Sequence, residues 1–151
     1  MAFGQLLQQW MDLCRDEPDL MAELLATRDN QKELEDRFYQ DLAFGTGGMR
    51  GVLGAGRNRM NVFTVRRAAA GLADYLNSDP DSRSKCVAIG FDSRKYSDRF
   101  AKQTALVLAA RGVRACLFDS LRPVPMLSFA VRRLGAAAGV VIGRASCRER
   151  V

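Results

Sequence analysis

Apolar residues in the first forty positions recur at helical spacing. Phe3, Leu6, Leu7, Trp10, Met11 and Cys14 fall on one stripe, which predicts an amphipathic helix over 3–14. Pro18, next to Asp16 and Glu17, predicts the start of a second helix running through Leu20, Leu24 and Leu25. Leu34, Phe38 and Leu42 predict a third from about Asn30 to Leu42, with Glu33 and Arg37 paired one turn apart. Beyond a glycine-dense stretch, "NVFTVRRAAAGLADYLNSD" puts Val62, Val65, Ala69, Leu72 and Leu76 on one helical face, and "PDSRSK" reads as a polar turn.

The pattern then changes period. "CVAIGFD", "VRACLFD" and "AAAGVVI" are short, continuously apolar runs suited to buried parallel strands. Between them "SDRFAKQTALVLAARG" and "VPMLSFAVRRLG" read as helices, stopped by Gly112 and Gly135. Residues 86–142 therefore spell strand, helix, strand, helix, strand, which predicts right-handed crossovers with helices packed on both faces. The expected fold is a three-layer α/β/α domain with a mixed, largely parallel sheet, preceded by N-terminal helices. The segment near 48–54 is expected to join that sheet. Ligands in such sheets gather beyond the carboxyl ends of the strands, where Asp92, Asp119 and the residues after Ile142 stand.

At 151 residues the chain can bury a proper core, and 48% hydrophobic with 26% charged residues describes a globular rather than a disordered protein. No apolar run approaches the roughly 18–20 residues needed to cross a bilayer. The N-terminus carries early acids and no basic leader, so no membrane association or secretion signal is expected and a cytoplasmic location is. Cys14, Cys86, Cys116 and Cys147 are widely spaced and read as reduced thiols. Histidine is absent, which excludes a Ser-His-Asp triad and any histidine metal site within these residues. The net charge of +6 suits an anionic partner. Its arginines are scattered without interleaved aromatics, so no nucleic-acid partner is expected.

Candidate chemistry begins at "FGTGGMRG", residues 44–51. Four glycines let backbone N–H groups approach a ligand, while Arg50 supplies a planar fork for phosphate or carboxylate. The same residues also suit a tight turn into a strand with Arg50 solvated. Neither this stretch nor "GVLGAG" is a P-loop, since no Gly-Lys-Ser/Thr follows, and neither is a good dinucleotide fingerprint. In "GFDSRKYS", Asp92 and Arg94 are close enough to pair, and Ser97 is placed to cap the next helix. That pair is more simply a loop-stabilising ion pair than a catalytic one. In "RPVPM", Pro123 and Pro125 read as turn and first-turn residues.

Taken in order, "FGTGGMRG…NRMN…TVRRAAAGLADYL", "VAIGFDSRKYS" and "RPVP…LSFAVRRLGAAAGVVI" closely resemble the first domain of the α-D-phosphohexomutases, the phosphoglucomutase/phosphomannomutase group. The resemblance covers roughly residues 1–142. It implies an N-terminal helical segment over 1–43 and a partial domain I over 44–142. It also implies an intramolecular phosphotransferase, in which a phosphoserine exchanges phosphate with a sugar phosphate through a bound 1,6-bisphosphate. Thr46, Gly47 and Arg50 would bind the phosphoserine's phosphate, Arg50 catalytically, with Asp92 and Arg94 supporting the same rim. Mg2+ would be held by an aspartate-rich loop in a second domain, so no metal ligand is expected here. Sugar choice among glucose, mannose and pentose phosphates would rest with other domains of the same protein.

The family pattern continues after "AGVVI" with Thr-Ala-Ser-His-Asn-Pro, whose serine carries the phosphate. This chain reads "GRASCRERV" there, with Ser146 one position late. The string resembles an in-frame translation of a sequencing-adapter end, so residues 143–151 are expected to be a non-native tail. Without Arg144, Arg148, Glu149 and Arg150 the charge excess falls to +4. The chain as written is expected to be inactive, a C-terminally truncated piece of its parent. The alternative is a non-catalytic α/β module that binds an anionic metabolite through Arg50 and the glycine backbone.

Overall fold

The N-terminal stripe folds as its spacing predicts, into α1 (Ala2–Leu13), a 3-10 turn at Cys14–Asp16 and α2 (Pro18–Thr27). Pro18 opens α2, where its missing N–H and fixed φ cost nothing. The computed structural model describes residues 2–80 and 85–143. They fall into two compact units, Met1–Thr64 and Val65–Val151. Among the described residues no helix is long and apolar enough to cross a membrane. The turn expected at "PDSRSK" lies largely on residues 81–84, outside the described residues.

In the first unit Trp10, Cys14, Leu24, Leu34, Phe38 and Ala55 form the core. Trp10 meets the rings of Phe38 and Phe63 edge-on, at 5.9 and 5.7 Å between centroids. Burial pushes the Cys14 thiol up to about 11, with the Glu17 charge adding to the effect. Helix α3 (Gln31–Phe38) stops four residues short of the expected Leu42. Its last carbonyls are taken by a distant loop. Asn58 N donates to Arg37 O (3.0 Å), Asn58 Nδ2 donates to Asp36 O (2.9 Å), and Leu42 N turns away to Arg57 O (2.9 Å). A tertiary partner has replaced the next helical turn.

Two short strands follow, β1 (Phe44–Gly45) and β2 (Gly48–Met49), paired antiparallel as a hairpin. The expectation that residues 48–54 join the main sheet is overturned. Gly48–Met49 pair with Phe44–Gly45, and Leu53 bridges only to Met60. Gly48 at φ +96° and Gly54 at φ +151° break any extended run through this segment.

Helix α4 (Val62–Ser78) leads into the second unit. There β3 (Cys86–Phe91), α5 (Ser97–Ala110), β4 (Arg114–Leu117), α6 (Val124–Leu134) and β5 (Ala138–Ile142) alternate in the expected order. The strands lie β4-β3-β5, all parallel, with Val87 opposite both Ala115 and Ala138. The chain moves from β3 to one neighbour and back to the other, so right-handed crossovers put α5 and α6 on opposite faces.

Side-chain alternation agrees with that placement. Val87 and Ile89 pack with Ala101 and Leu108 of α5 and with Ala73 and Leu76 of α4. Burying each of the larger aliphatic side chains contributes about 1.5–3 kcal/mol. On the other face Leu127 and Val131 of α6 close on Gly90 and Gly139, and Cys86 and Cys116 bring their sulfurs within 3.4 Å. The fold class is α/β, as the alternation of periods predicts. Gly112 and Gly135 stop their helices as expected, and Pro123 and Pro125 flank the start of α6.

Candidate functional site

The hairpin places Thr46 and Gly47 at its two-residue turn, between Gly45 and Gly48. All of Thr46, Gly47 and Arg50 are exposed. The Arg50 side chain folds back over the turn: a Cβ on Gly47 would lie 3.1 Å from Arg50 Nη2 and 3.6 Å from its Cζ. A glycine at 47 therefore leaves room for the guanidinium to lie along the backbone of the turn, and Gly48 supplies the positive φ that reverses the chain.

The neighbouring arginines are all engaged. Arg37, buried, meets Glu23 at 2.7 Å and Glu33 at 3.3 Å. Arg57 Nε lies 3.2 Å from Asp41, and Arg59 pairs with Asp36. Among the described residues none is hydrogen-bonded or ion-paired to Arg50. Of the four arginines between 37 and 59 it is the one left without a carboxylate, a planar five-donor group facing solvent beside exposed backbone.

Residues 51–60 form a closed loop behind the hairpin. Met60 N donates to Val52 O (2.8 Å) and Gly54 N to Met60 O (3.2 Å). Arg37 Nη1 donates to Ala55 O (2.8 Å), and Ala55 N donates to Glu23 Oε2 (2.9 Å). Asn61, buried, sits at the loop's end as the N-cap of α4. Its Oδ1 accepts from Phe63 N and Thr64 N, both at 3.1 Å, while Asn61 N donates to Thr64 Oγ1 (3.0 Å), a reciprocal capping box. Its Nδ2 donates to Gly54 O (2.8 Å) and Gly56 O (2.9 Å), with Arg59 O at 3.4 Å. Sequence reasoning paired Arg37 with Glu33, as found, but missed its ties to Glu23 and Ala55 and assigned no role to Asn61. The signal available for Asn61 was a capping residue just ahead of a helical apolar pattern.

Arg59, by hydrogen bond and then by charge, holds the Asp36 carboxyl below the ordinary 3.8, with Arg37 adding to the effect. A carboxylate with a lowered pKa keeps its tie above the ordinary value and loses it as pH falls through the lowered one. We expect the Asp36 carboxyl resonance to titrate with a midpoint below 3.8, and Arg59→Ala to move that midpoint up. An unchanged midpoint in Arg59→Ala would rule out Arg59 as the cause.

Asp92 and Arg94 belong to the second unit, at the carboxyl end of β3. Asp92 N donates to Ile142 O (3.1 Å), tying the ends of β3 and β5 together. Asp92 Oδ1 accepts from Arg94 N and from Ser97 Oγ, both at 3.0 Å, and Arg94 Nε stands 3.9 Å from Oδ2. Ser97 is thus not the helix cap expected of it. Tyr96, in the left-handed region at φ 67°, takes the cap position, and Ser97 begins α5 with its hydroxyl on Asp92. Gly143 packs against this pair: a Cβ there would lie 2.7 Å from Asp92 Cγ and closer still to the Ser97 hydroxyl. Asp119 is exposed beyond β4, 3.8 Å from Arg122. Ser146 and the rest of 144–151 lie outside the described residues. Among the described residues no group of three or more acidic or sulfur side chains is arranged to hold a metal.

Comparison with known proteins gives a consistent result. The family model described as phosphoglucomutase/phosphomannomutase, alpha/beta/alpha domain I, matches residues 41–146. A phosphoglucomutase of Staphylococcus saprophyticus is 45% identical over 112 residues, covering 74% of this chain and 20% of its own. A probable phosphoribomutase of Schizosaccharomyces pombe is 38% identical over 141 residues, covering 91% of this chain and 24% of its own. A phosphoglucomutase of Staphylococcus aureus is 43% identical over 110 residues, 73% of this chain and 20% of its own. The chain spans a fifth to a quarter of the length of these relatives. No solved structure matches. With the parallel α/β sheet and the matched span in agreement, the chain belongs to the phosphoglucomutase/phosphomannomutase family, in its α/β/α domain I.

Proposed function

We propose that the full-length protein is a phosphosugar mutase. It moves phosphate between C1 and C6 of a hexose, or C5 of a pentose, through an enzyme phosphoserine and a sugar bisphosphate. The observation that carries this reading is Arg50, exposed over the Thr46–Gly47 turn with no carboxylate partner among the described residues. Relatives named phosphoglucomutase and phosphoribomutase support the reaction class. The turn presents the Thr46 hydroxyl and backbone N–H groups, and Arg50 offers its fork to the charge that grows on a transferring phosphoryl group. Asp92 and Arg94 shape the rim beyond β3, and the carrier serine follows β5. Magnesium and a sugar 1,6-bisphosphate activator belong to the full-length protein in this proposal, with the metal's ligands outside residues 1–151.

The test is a coupled assay for glucose 6-phosphate formed from glucose 1-phosphate, with magnesium and catalytic bisphosphate present, repeated with mannose and pentose phosphates. The full-length protein is expected to turn over at least one of them. Phosphosugar binding without turnover of any would replace the mutase by a binding module. The 151-residue chain alone is expected to show no turnover above a Ser146→Ala control. It spans only a fifth to a quarter of its relatives, and attraction of phosphate to the arginines near Ser146 supplies little effective molarity without positioning. Turnover above that control would make Ser146 a carrier and the 143–151 segment native.

A further inference from the structure

Both legs of the Arg50 hairpin rest on one loop. Leu42, which enters β1, donates its N–H to Arg57 O (2.9 Å), and Val52, which follows β2, accepts from Met60 N (2.8 Å). The loop between Gly54 and Met60 has no strand or helix of its own to fix it. Glu23, Asp36 and Arg37 tie it to α2 and α3, and one further side chain gathers three of its carbonyls. The Asn61 carboxamide, 2% exposed, donates to the carbonyls of Gly54 and Gly56 and reaches that of Arg59. Its other end caps α4. A backbone segment folded round a buried amide has few alternatives: Arg59 O keeps the Thr64 hydroxyl at 3.0 Å, but the Gly54 and Gly56 carbonyls would lose the donor that holds them.

We propose that Asn61 is a positioning residue for Arg50: it locks the Gly54–Met60 loop on which both legs of the arginine hairpin stand. This rests on the reading of Arg50 as phosphate-facing, which the test treats separately. Asn61→Asp retains the capping oxygen and the shape, and removes the amide's donations to the Gly54 and Gly56 carbonyls together with its contact on Arg59 O. Asn61→Ser also retains a capping oxygen and adds no charge, and it serves where the aspartate variant does not fold.

Amide hydrogen exchange on the 151-residue chain reads the lock without any activity. In the variant, the Leu42 and Met60 amides are expected to exchange about tenfold faster or more, while amides of β3 keep their rates. A Leu24→Ala variant, weakened in the core around Trp10, supplies the pattern of general destabilisation for comparison. Unchanged Leu42 and Met60 rates in a folded variant, or a pattern identical to that of Leu24→Ala, would overturn the proposal.

Kinetics of the full-length protein then read the consequence. Asn61→Asp is expected to lower kcat about tenfold with KM little changed, and to add less than about twofold in an Arg50→Ala background. Equal losses in both backgrounds would show that Asn61 does not act through Arg50. An Arg50→Ala variant with normal kcat would sink the role of Arg50 itself, leaving the loop lock to stand or fall by exchange alone.

Discussion

Arg50→Ala in the full-length protein is expected to lower kcat by about 10²–10³ while changing KM little, the loss seen for other preorganised electrostatic donors, roughly 3–4 kcal/mol. The sign of the split follows from when the charge is needed. A sugar phosphate binds through many groups, so one guanidinium adds modestly to ground-state affinity. Its contribution grows as negative charge spreads over the equatorial oxygens during transfer. Arg50 is suited to this because no acidic residue among those described neutralises it, unlike Arg37, Arg57 and Arg59. Arg50→Lys is also expected to be impaired, since an ammonium is a point charge and cannot present two parallel N–H groups. Steady-state kinetics with unchanged kcat in Arg50→Ala would remove the residue from the reaction.

The second unit was legible because its signals are local. β3 and β5 are continuous apolar runs between turn residues, and the glycines that end α5 and α6 need only their own turn to act. The first unit defeated the same reasoning wherever a distant partner decided the outcome. Leu42 continues the stripe of Leu34 and Phe38, yet its N–H bonds to Arg57, fifteen residues on, and the helix ends at Phe38.

The candidate site shows the same division. A glycine-rich turn with an arginine is visible in "FGTGGMRG", and its hairpin was within reach of that reading. That Arg50, of the four arginines between 37 and 59, has no carboxylate partner among the described residues is not visible, because it depends on where Glu23, Asp36 and Asp41 fold relative to the others. Asn61 could be recognised as a helix cap. Its grip on Gly54 and Gly56 could not, since both sit at positive φ values that the residue names permit without demanding.

Gly56→Ala is expected to be among the most destabilising single-methyl changes in the first unit. Gly56 sits at φ +125°, and a Cβ there would lie 2.8 Å from Arg37 O and 2.9 Å from Arg37 Cβ. Neither neighbour can retreat. Arg37 is buried, its carbonyl accepts from Asn58 N, and its guanidinium is held by Glu23 and Ala55 O. Backbone strain of about 1–3 kcal/mol therefore adds to overpacking of about 1–3 kcal/mol, against a typical domain stability of about 5–15 kcal/mol. Gly4→Ala offers the opposite sign in the same unit. Gly4 is exposed in α1 with nothing within 4 Å of its virtual Cβ, so alanine there is expected to stabilise by up to about 1 kcal/mol. Urea unfolding followed by the fluorescence of Trp10, the only tryptophan and part of this unit's core, checks both. The midpoint should fall for Gly56→Ala and rise slightly for Gly4→Ala. A Gly56→Ala midpoint equal to that of the parent chain would mean that the loop can move off Arg37. The 51–60 segment would then be no fixed platform for the arginine hairpin.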